Sequence, residues 1–151
     1  MSSDLIFRPA AQADIPEILA LLRDDMRGQG REGADLATYE AAFARMQSSP
    51  EAYLIVGVQG GRVVATYTMH VMHGLSRSAT TRAQIEAVRV SADLRGQGAG
   101  KALMADAETR ARAAGACLMQ LTSDKARDGA HQFYAALGFT PSHIGFKREL
   151  S

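Results

Sequence analysis

Apolar and polar residues change period several times along this chain, and each change marks an element. Leu5-Ile6-Phe7-Arg8 is a short apolar run closed by Pro9, which reads as a strand. Ile15, Ile18, Leu19 and Leu22 then recur at helical spacing. Their start, Asp14-Ile15-Pro16-Glu17, has Asp14 placed to cap, Pro16 suited to a first turn and Glu17 able to reach back. Asp24-Asp25 ends that helix, and Gly28-Gln29-Gly30-Arg31-Glu32-Gly33 follows as a flexible connection. A second helix, about Asp35 to Met46, carries Leu36, Tyr39, Phe43 and Met46.

Pro50 punctuates, and the pattern then shortens to that of strands. Tyr53–Gln59 and Arg62–Val71 flank Gly60-Gly61, a two-residue hairpin signal. A polar connection, Gly74 to Arg82, leads into Ile85–Val90, which is rich in β-branched residues. Leu103, Ala107, Ala111 and Ala114 mark one helix face, ended by Ala114-Gly115. Cys117–Thr122 is apolar enough for a central parallel strand. Arg127–Leu137 reads as the last long helix, stopped by Gly138, and Ile144–Leu150 as a terminal strand. The order is β-α-α-β-β-β-α-β-α-β, a mixed α/β sheet with helices on both faces.

Composition narrows the class. At 151 residues the chain suits one domain with a real core. Hydrophobic residues make up 46% and charged residues 22%, as in ordinary globular proteins. A formal net charge of +1, with scattered cations, offers no global attraction to nucleic acid or membrane. Cys117 is the single cysteine, so an intrachain disulfide is excluded and a reducing, cytoplasmic setting fits. No apolar run approaches the roughly 20 residues of a membrane span. MSSDLIFRPA lacks a cationic leader followed by a long apolar region, so no export signal is expected.

The chemistry concentrates between the Ile85 strand and the Leu103 helix. Arg95-Gly96-Gln97-Gly98-Ala99-Gly100 places glycines at alternate positions, with Lys101 next. Glycine accepts positive φ and lets a ligand approach the backbone. A helix N-terminus presents unpaired N–H groups and the positive end of the macrodipole. With the cations Arg95 and Lys101, the corner suits a phosphate; its plainer reading is a glycine-softened turn into a helix. It is no P-loop, because Gly96 and Gly100 are too close and Ala102 stands where a hydroxyl is needed. Nor is it a dinucleotide fingerprint, because Gly98-Ala99-Gly100-Lys101-Ala102-Leu103 ends in Leu103.

Arg95-x-x-Gly98-x-Gly100 resembles the acyl-CoA pyrophosphate signature of the GNAT N-acetyltransferase superfamily, Q/R-x-x-G-x-G/A. Glu86 lies nine residues before Arg95, on the strand where that family often carries a general base. Ala130-His131-Gln132-Phe133-Tyr134-Ala135-Ala136-Leu137-Gly138-Phe139 is similar to its second signature, a helix bearing Tyr and ending in Leu-Gly-Phe. The matching elements run from about Leu5 to Leu150. The resemblance implies one GNAT-like acetyltransferase domain over 1–151, with a mostly antiparallel central sheet. Two parallel strands, 85–90 and 117–122, would splay to admit the pantetheine arm.

By the same resemblance, acetyl-CoA is the co-substrate and no metal is expected. The corner Arg95, Gly96, Gln97, Gly98, Ala99, Gly100 and Lys101 would hold the pyrophosphate, and the backbone of Val88, Arg89 and Val90 the pantetheine and the thioester oxygen. Glu86 is the candidate base for an ammonium whose pKa is about 10.4. Carboxylates ionise near ~4.3, so partial burial or a water relay is required. The plainer role for Glu86 is pairing with Arg82 or Arg89. Tyr134 is the candidate proton donor to the leaving thiolate; its plainer role is a core tyrosine beside Phe133 and Leu137.

One departure is Arg127, where the family often has Asn; it is either a solvated helix-start residue or a contact to the cofactor's phosphates. The stretch from Leu121 to Phe139, with Ser142–Lys147 after it, looks closest to the branch acetylating small aminoalkyl phosphonates and related amines. His70 and His73, three apart on a strand, point to opposite faces and make a poor metal pair. His131 reads as a helix-surface residue, and His143 could face the acceptor. Loops 24–35 and 74–82 and the C-terminal hairpin should shape the acceptor site. There Asp24, Asp25, Glu32 and Asp35 would attract a cationic amine, and Arg77 and Arg82 a phosphonate or carboxylate. The expected partner is a small-molecule amine, with no nucleic acid and no membrane, and a homodimer is allowed. The alternatives are acetylation of a protein or peptide, and a non-catalytic CoA-binding module.

Overall fold

The computed structural model describes residues 4–24 and 30–151. Asp25, Gly28 and Gln29, expected at the helix end and in the glycine-rich connection, lie outside the described residues. Five strands stand side by side in chain order: β1 (Ile6–Pro9), β2 (Ala52–Gln59), β3 (Arg62–Met72), β4 (Arg82–Val90) and β5 (Leu118–Leu121). The first four pair antiparallel, and β4 pairs β5 in parallel. The helices are α1 (Ile15–Arg23), α2 (Leu36–Gln47), α4 (Ala99–Ala113) and α5 (Asp128–Ala136), with a single turn, α3 (Ser76–Ala79), left-handed at Arg77, Ser78 and Ala79, between β3 and β4.

Strand alternation decides which side chains meet which helices. Ile55, Ala65, Tyr67, Met69, Val71, Ala83 and Ile85 share one face and pack on Leu103, Met104, Ala107 and Ala111 of α4. Phe133, Tyr134 and Leu137 of α5 join that core from its margin. Leu54, Val56 and Val58 of β2, with Val63 of β3, point the other way, to α1 and α2. Beneath β4 and β5 that second face carries polar side chains instead: Arg82, Gln84, Glu86 and Gln120. Helices therefore cover both faces, as expected, but only the α4–α5 side is apolar across the whole sheet.

Two buried polar groups tie the layers together. Tyr67 donates its phenol to Asp106 Oδ2 at 2.6 Å, and Arg110 Nε donates to the same oxygen at 2.8 Å. Burial and the Asp106 charge both push the Tyr67 phenol far up. Arg8 grips Asp14 with two bonds, Nη1 to Oδ2 at 2.7 Å and Nη2 to Oδ1 at 3.0 Å.

The expected capping of α1 is not what forms. The Asp14 carboxylate accepts from Ala11 N and from Arg8, and Glu17 Oε2 accepts from Val63 N at 2.9 Å instead of closing a capping box. Asp35 does cap α2, accepting from Thr38 N. A second correction concerns the chain end. The strand expected over 144–150 does not form: residues 140–151 have no regular structure and are exposed. A strand pattern needs a neighbour to bond with, and within one chain this segment has none.

Candidate active site

β4 is interrupted at one place, and the interruption shapes the site. Thr66 stands opposite Arg89 and Thr68 opposite Glu86, so Tyr67 on β3 faces two residues on β4, Ala87 and Val88. Ala87 takes up the extra length at φ +52°, in left-handed space that a non-glycine residue seldom enters. Pairing with β5 runs from Arg82–Leu118 to Ile85–Leu121 and ends there, while β4 continues to Val90. Beyond Ile85, the side of β4 turned from β3 has no strand to bond with among the described residues. Val88, Arg89 and Val90, half-buried, lie on β4 past its last pair with β5.

The glycine corner follows at the end of β4. A 3-10 turn over Ala92–Leu94 leads to Arg95, and Gly96 and Gly98 adopt φ +78° and +83°. Gly98 ends the turn as the residue before α4, and its carbonyl accepts from Ala102 N at 3.0 Å. The amides ahead of Ala102 thus have no carbonyl four residues back within the helix. A Cβ built on Gly96 or Gly98 would meet nothing within 4 Å, so the space over both glycines is open. Arg95 and Lys101 are exposed beside it, and Arg95 Nη2 lies 3.7 Å from Asp24 at the end of α1. Gln97 Nε2 donates to Asp93 O at 2.8 Å, folding its side chain back under the turn. Open amides, room above the glycines and two cations fit a diphosphate.

The third glycine has a different use. A Cβ on Gly100 would stand 3.2 Å from Cζ of Phe133, so Gly100 lets α5 lie against the first turn of α4. That contact brings Tyr134 toward the corner. Tyr134 stacks edge-on with Phe133, centroids 5.1 Å apart, and with Phe139, 5.9 Å apart. Burial raises the Tyr134 pKa, while the charges of Arg127 and Arg89 pull it the other way. The phenol is protonated at neutral pH. Sequence reasoning left Arg127 off the site and treated Arg89 as backbone only; no local pattern shows that both charges act on one tyrosine.

Glu86 lies on the polar face, opposite Thr68 and solvent-exposed. The partial burial expected for a base is not found. Along the same face Arg82 Nη1 donates to Gln120 Oε1 at 3.3 Å, and Gln120 Nε2 to Gln84 Oε1 at 2.7 Å. His70 stands on β3 opposite Gln84. The connection 73–81 meets β4 at Arg82, the end away from the corner. Other expected groups are engaged locally. His73 bonds Thr81 Oγ1 and Glu51 Oε1, each at 3.2 Å, and His131 Nε2 lies 2.7 Å from Asp124 O. Glu32 Oε2 accepts from Tyr39 at 3.2 Å. His143 Nδ1 lies 2.6 Å from Ser142 Oγ in the exposed tail.

Residues 15–139 match the model of the acetyltransferase (GNAT) family. The chain belongs to the GNAT acetyltransferase family. As a GNAT protein it is an acyl-CoA-dependent acetyltransferase. It is 29% identical over 143 residues to the aminoalkylphosphonate N-acetyltransferase of Salmonella typhimurium, covering 95% of this chain and 90% of that one. Among solved structures, a transcriptional regulator from Bacillus halodurans C-125 superposes with a TM-score of 0.92 at 34% identity, covering 97% of this GNAT chain and all of the other. A Trypanosoma brucei acetyltransferase follows at a TM-score of 0.80 and 27% identity, covering 97% of this chain and 100% of that one. Among the described residues, no helix is long and apolar enough to cross a membrane.

Proposed function

We propose that this chain, as one domain over 1–151, moves an acetyl group from acetyl-CoA to the primary amine of a small molecule by direct attack in a ternary complex. The observation that carries this reading is the end of β4–β5 pairing at Ile85–Leu121, directly before a helix tip with open amides. That arrangement suits a long thioester held by its diphosphate at one end and reaching between two strands at the other. Bound there, acetyl-CoA supplies the activated carbonyl and the thiolate leaving group.

In this reading the amides from Gly98 to Lys101, with Arg95 and Lys101, hold the diphosphate. Gly96 and Gln97 shape the turn. The free edge of Val88, Arg89 and Val90 holds the pantetheine, and an N–H there faces the carbonyl oxygen. Glu86 takes the ammonium proton through water, because an exposed carboxylate is reached by solvent. The amine nitrogen then forms the new bond as the carbon–sulfur bond breaks; Tyr134 gives its phenolic proton to sulfur, and the second proton shed by the nitrogen passes through water to restore the Tyr134 phenol, while the first leaves Glu86 for solvent. Arg95 leaves Asp24 for the diphosphate.

The polar face from Glu86 through Gln84 to Arg82 favours an acceptor with an anionic group beyond its amine. The name of the Salmonella relative agrees, and aminoalkyl phosphonates head the list to test. A cytoplasmic setting belongs to the same reading. Thiol release measured with acetyl-CoA against simple amines, aminoalkyl phosphonates and peptides tests it. Release with small amines is expected; release with peptides alone would move the reading to protein acetylation, and CoA binding without release to a non-catalytic module.

A further inference from the structure

Arg82 begins β4 on the polar face, with Met72 of β3 on one side and Leu118 of β5 on the other. All three are half-buried. A guanidinium between apolar neighbours is costly unless an opposite charge meets it. Arg8, Arg95 and Arg110 each reach a carboxylate. Among the described residues Arg82 forms no ion pair. Its bond goes to the neutral amide of Gln120 at 3.3 Å, just past the usual N–H···O range.

The guanidinium leans toward Glu86. Arg82 stands opposite Leu118, whereas Gln120 stands opposite Gln84, and Gln120 Nε2 donates to Gln84 Oε1 at 2.7 Å. Reaching Gln120 carries the charge of Arg82 from its own level to that of Gln84. From there to Glu86 is two residues of strand, roughly 7 Å. His70 stands across from Gln84 and Thr68 across from Glu86, both half-buried on the same face. The row thus runs from a cation through neutral amides, an imidazole and a hydroxyl to a carboxylate. It matches a short zwitterion, with its acid at one end and its amine at the other.

We propose that Arg82 sets acceptor specificity: its guanidinium seats a carboxylate or phosphonate about one to three carbons from the amine, the spacing that a row of roughly 7 Å admits. The amine end rests on the acetyl-transfer reading, in which Glu86 serves the ammonium. A guanidinium carries its N–H donors in a planar fork, so a pair of them can take an anion's oxygens side by side while Gln120 keeps another. An amine without an acid leaves Arg82 unmatched, and a diamine meets it with like charge. Selection therefore works by repulsion as well as attraction.

Calorimetric titration of the full chain with CoA present tests this, using β-alanine and aminomethylphosphonate against propylamine and ethylenediamine. The zwitterions should bind at least about tenfold tighter than propylamine, as charge-assisted bonds allow. Tight binding of only one of the two acids supports the seat and names its anion. Arg82→Gln, which keeps a donor for Gln120, should erase the preference. Arg82→Glu should turn it toward ethylenediamine, with both folds verified by circular dichroism. A merely structural arginine would weaken every ligand alike. Zwitterions that bind no tighter than propylamine overturn the proposal, as does a preference that survives Arg82→Gln. Thiol release separates this from the enzymatic reading. Release with propylamine and no preference for zwitterions removes the role of Arg82 alone, whereas Arg82-dependent binding without release removes acetyl transfer alone.

Discussion

Gly100 and Phe133 join the two signature regions: a Cβ on the glycine would stand 3.2 Å from the tip of the phenyl ring. The first turn of α4, which in the proposed function faces the diphosphate, thereby sits against the helix that carries Tyr134. A branched side chain at position 100 must push the ring aside. Gly100→Val should cost about 1–3 kcal/mol of stability, the usual range for overpacking. Turnover should fall further than the melting point suggests, because Tyr134 moves with its neighbour. Thermal melts and steady-state rates on the same preparation check both halves.

Glu86 and Tyr134 lie on opposite sides of the sheet, and under the proposed reaction their variants should differ in kind. Glu86→Gln should lower kcat by roughly 10²–10⁴, the range for a lost general base, with CoA affinity unchanged. Tyr134→Phe should slow the chemical step with little effect on the melt. The raised Tyr134 pKa places any alkaline limb due to this phenol above its ordinary value of about 10. The pH–rate profile of the wild type should therefore show no fall assignable to Tyr134 between pH 7 and 10.

Asp14 tests the link between fold and pH. Its carboxyl is held below the ordinary range, first by the hydrogen bond from Arg8, against the cost of burial. A depressed folded pKa contributes stability that is fully present above the unfolded value, about 3.9, and lost as pH falls through the folded one. Asp14→Asn should destabilise by about 1–3 kcal/mol at pH 7. The gap between variant and wild type should narrow as pH falls below the unfolded value of about 3.9, as both melts recorded from pH 2 to 7 will show.

How far the sequence could be read is clear from particular elements. The corner was legible because its chemistry is local: glycines, cations and a helix start lie within seven residues of one another. The bulge was not, because Ala87 carries no marker of its left-handed φ; the strain arises from pairing with β3, some twenty residues back in the chain. Asp14 looked like a helix cap because capping is a short-range rule, yet Arg8 outcompetes it with a bidentate bond. Tyr67 and Asp106 meet across 39 residues of sequence, a separation over which no local pattern reports. The tail read as a strand by its alternation, which fixes a conformation without naming a partner.

Ala87 gives a direct check on the bulge. A non-glycine residue in left-handed space costs about 1–2 kcal/mol, which glycine avoids at some entropic cost in the unfolded chain. Ala87→Gly should leave the melting temperature unchanged or slightly raised. Ala87→Val should lower it, since a β-branched residue tolerates positive φ least. If both variants melt alike, the bulge carries no strain.

The central claim is that the helix tip before α4 grips the CoA diphosphate, and calorimetric titration of CoA into wild type and Gly98→Val tests it most directly. Gly98 sits at φ +83° beneath open space, so a valine there is strained and fills the room over the amides. A measurable wild-type Kd is expected, with a loss of at least about tenfold, or 1.4 kcal/mol, in the variant at an unchanged fold by circular dichroism. Equal affinities in the two proteins would contradict it.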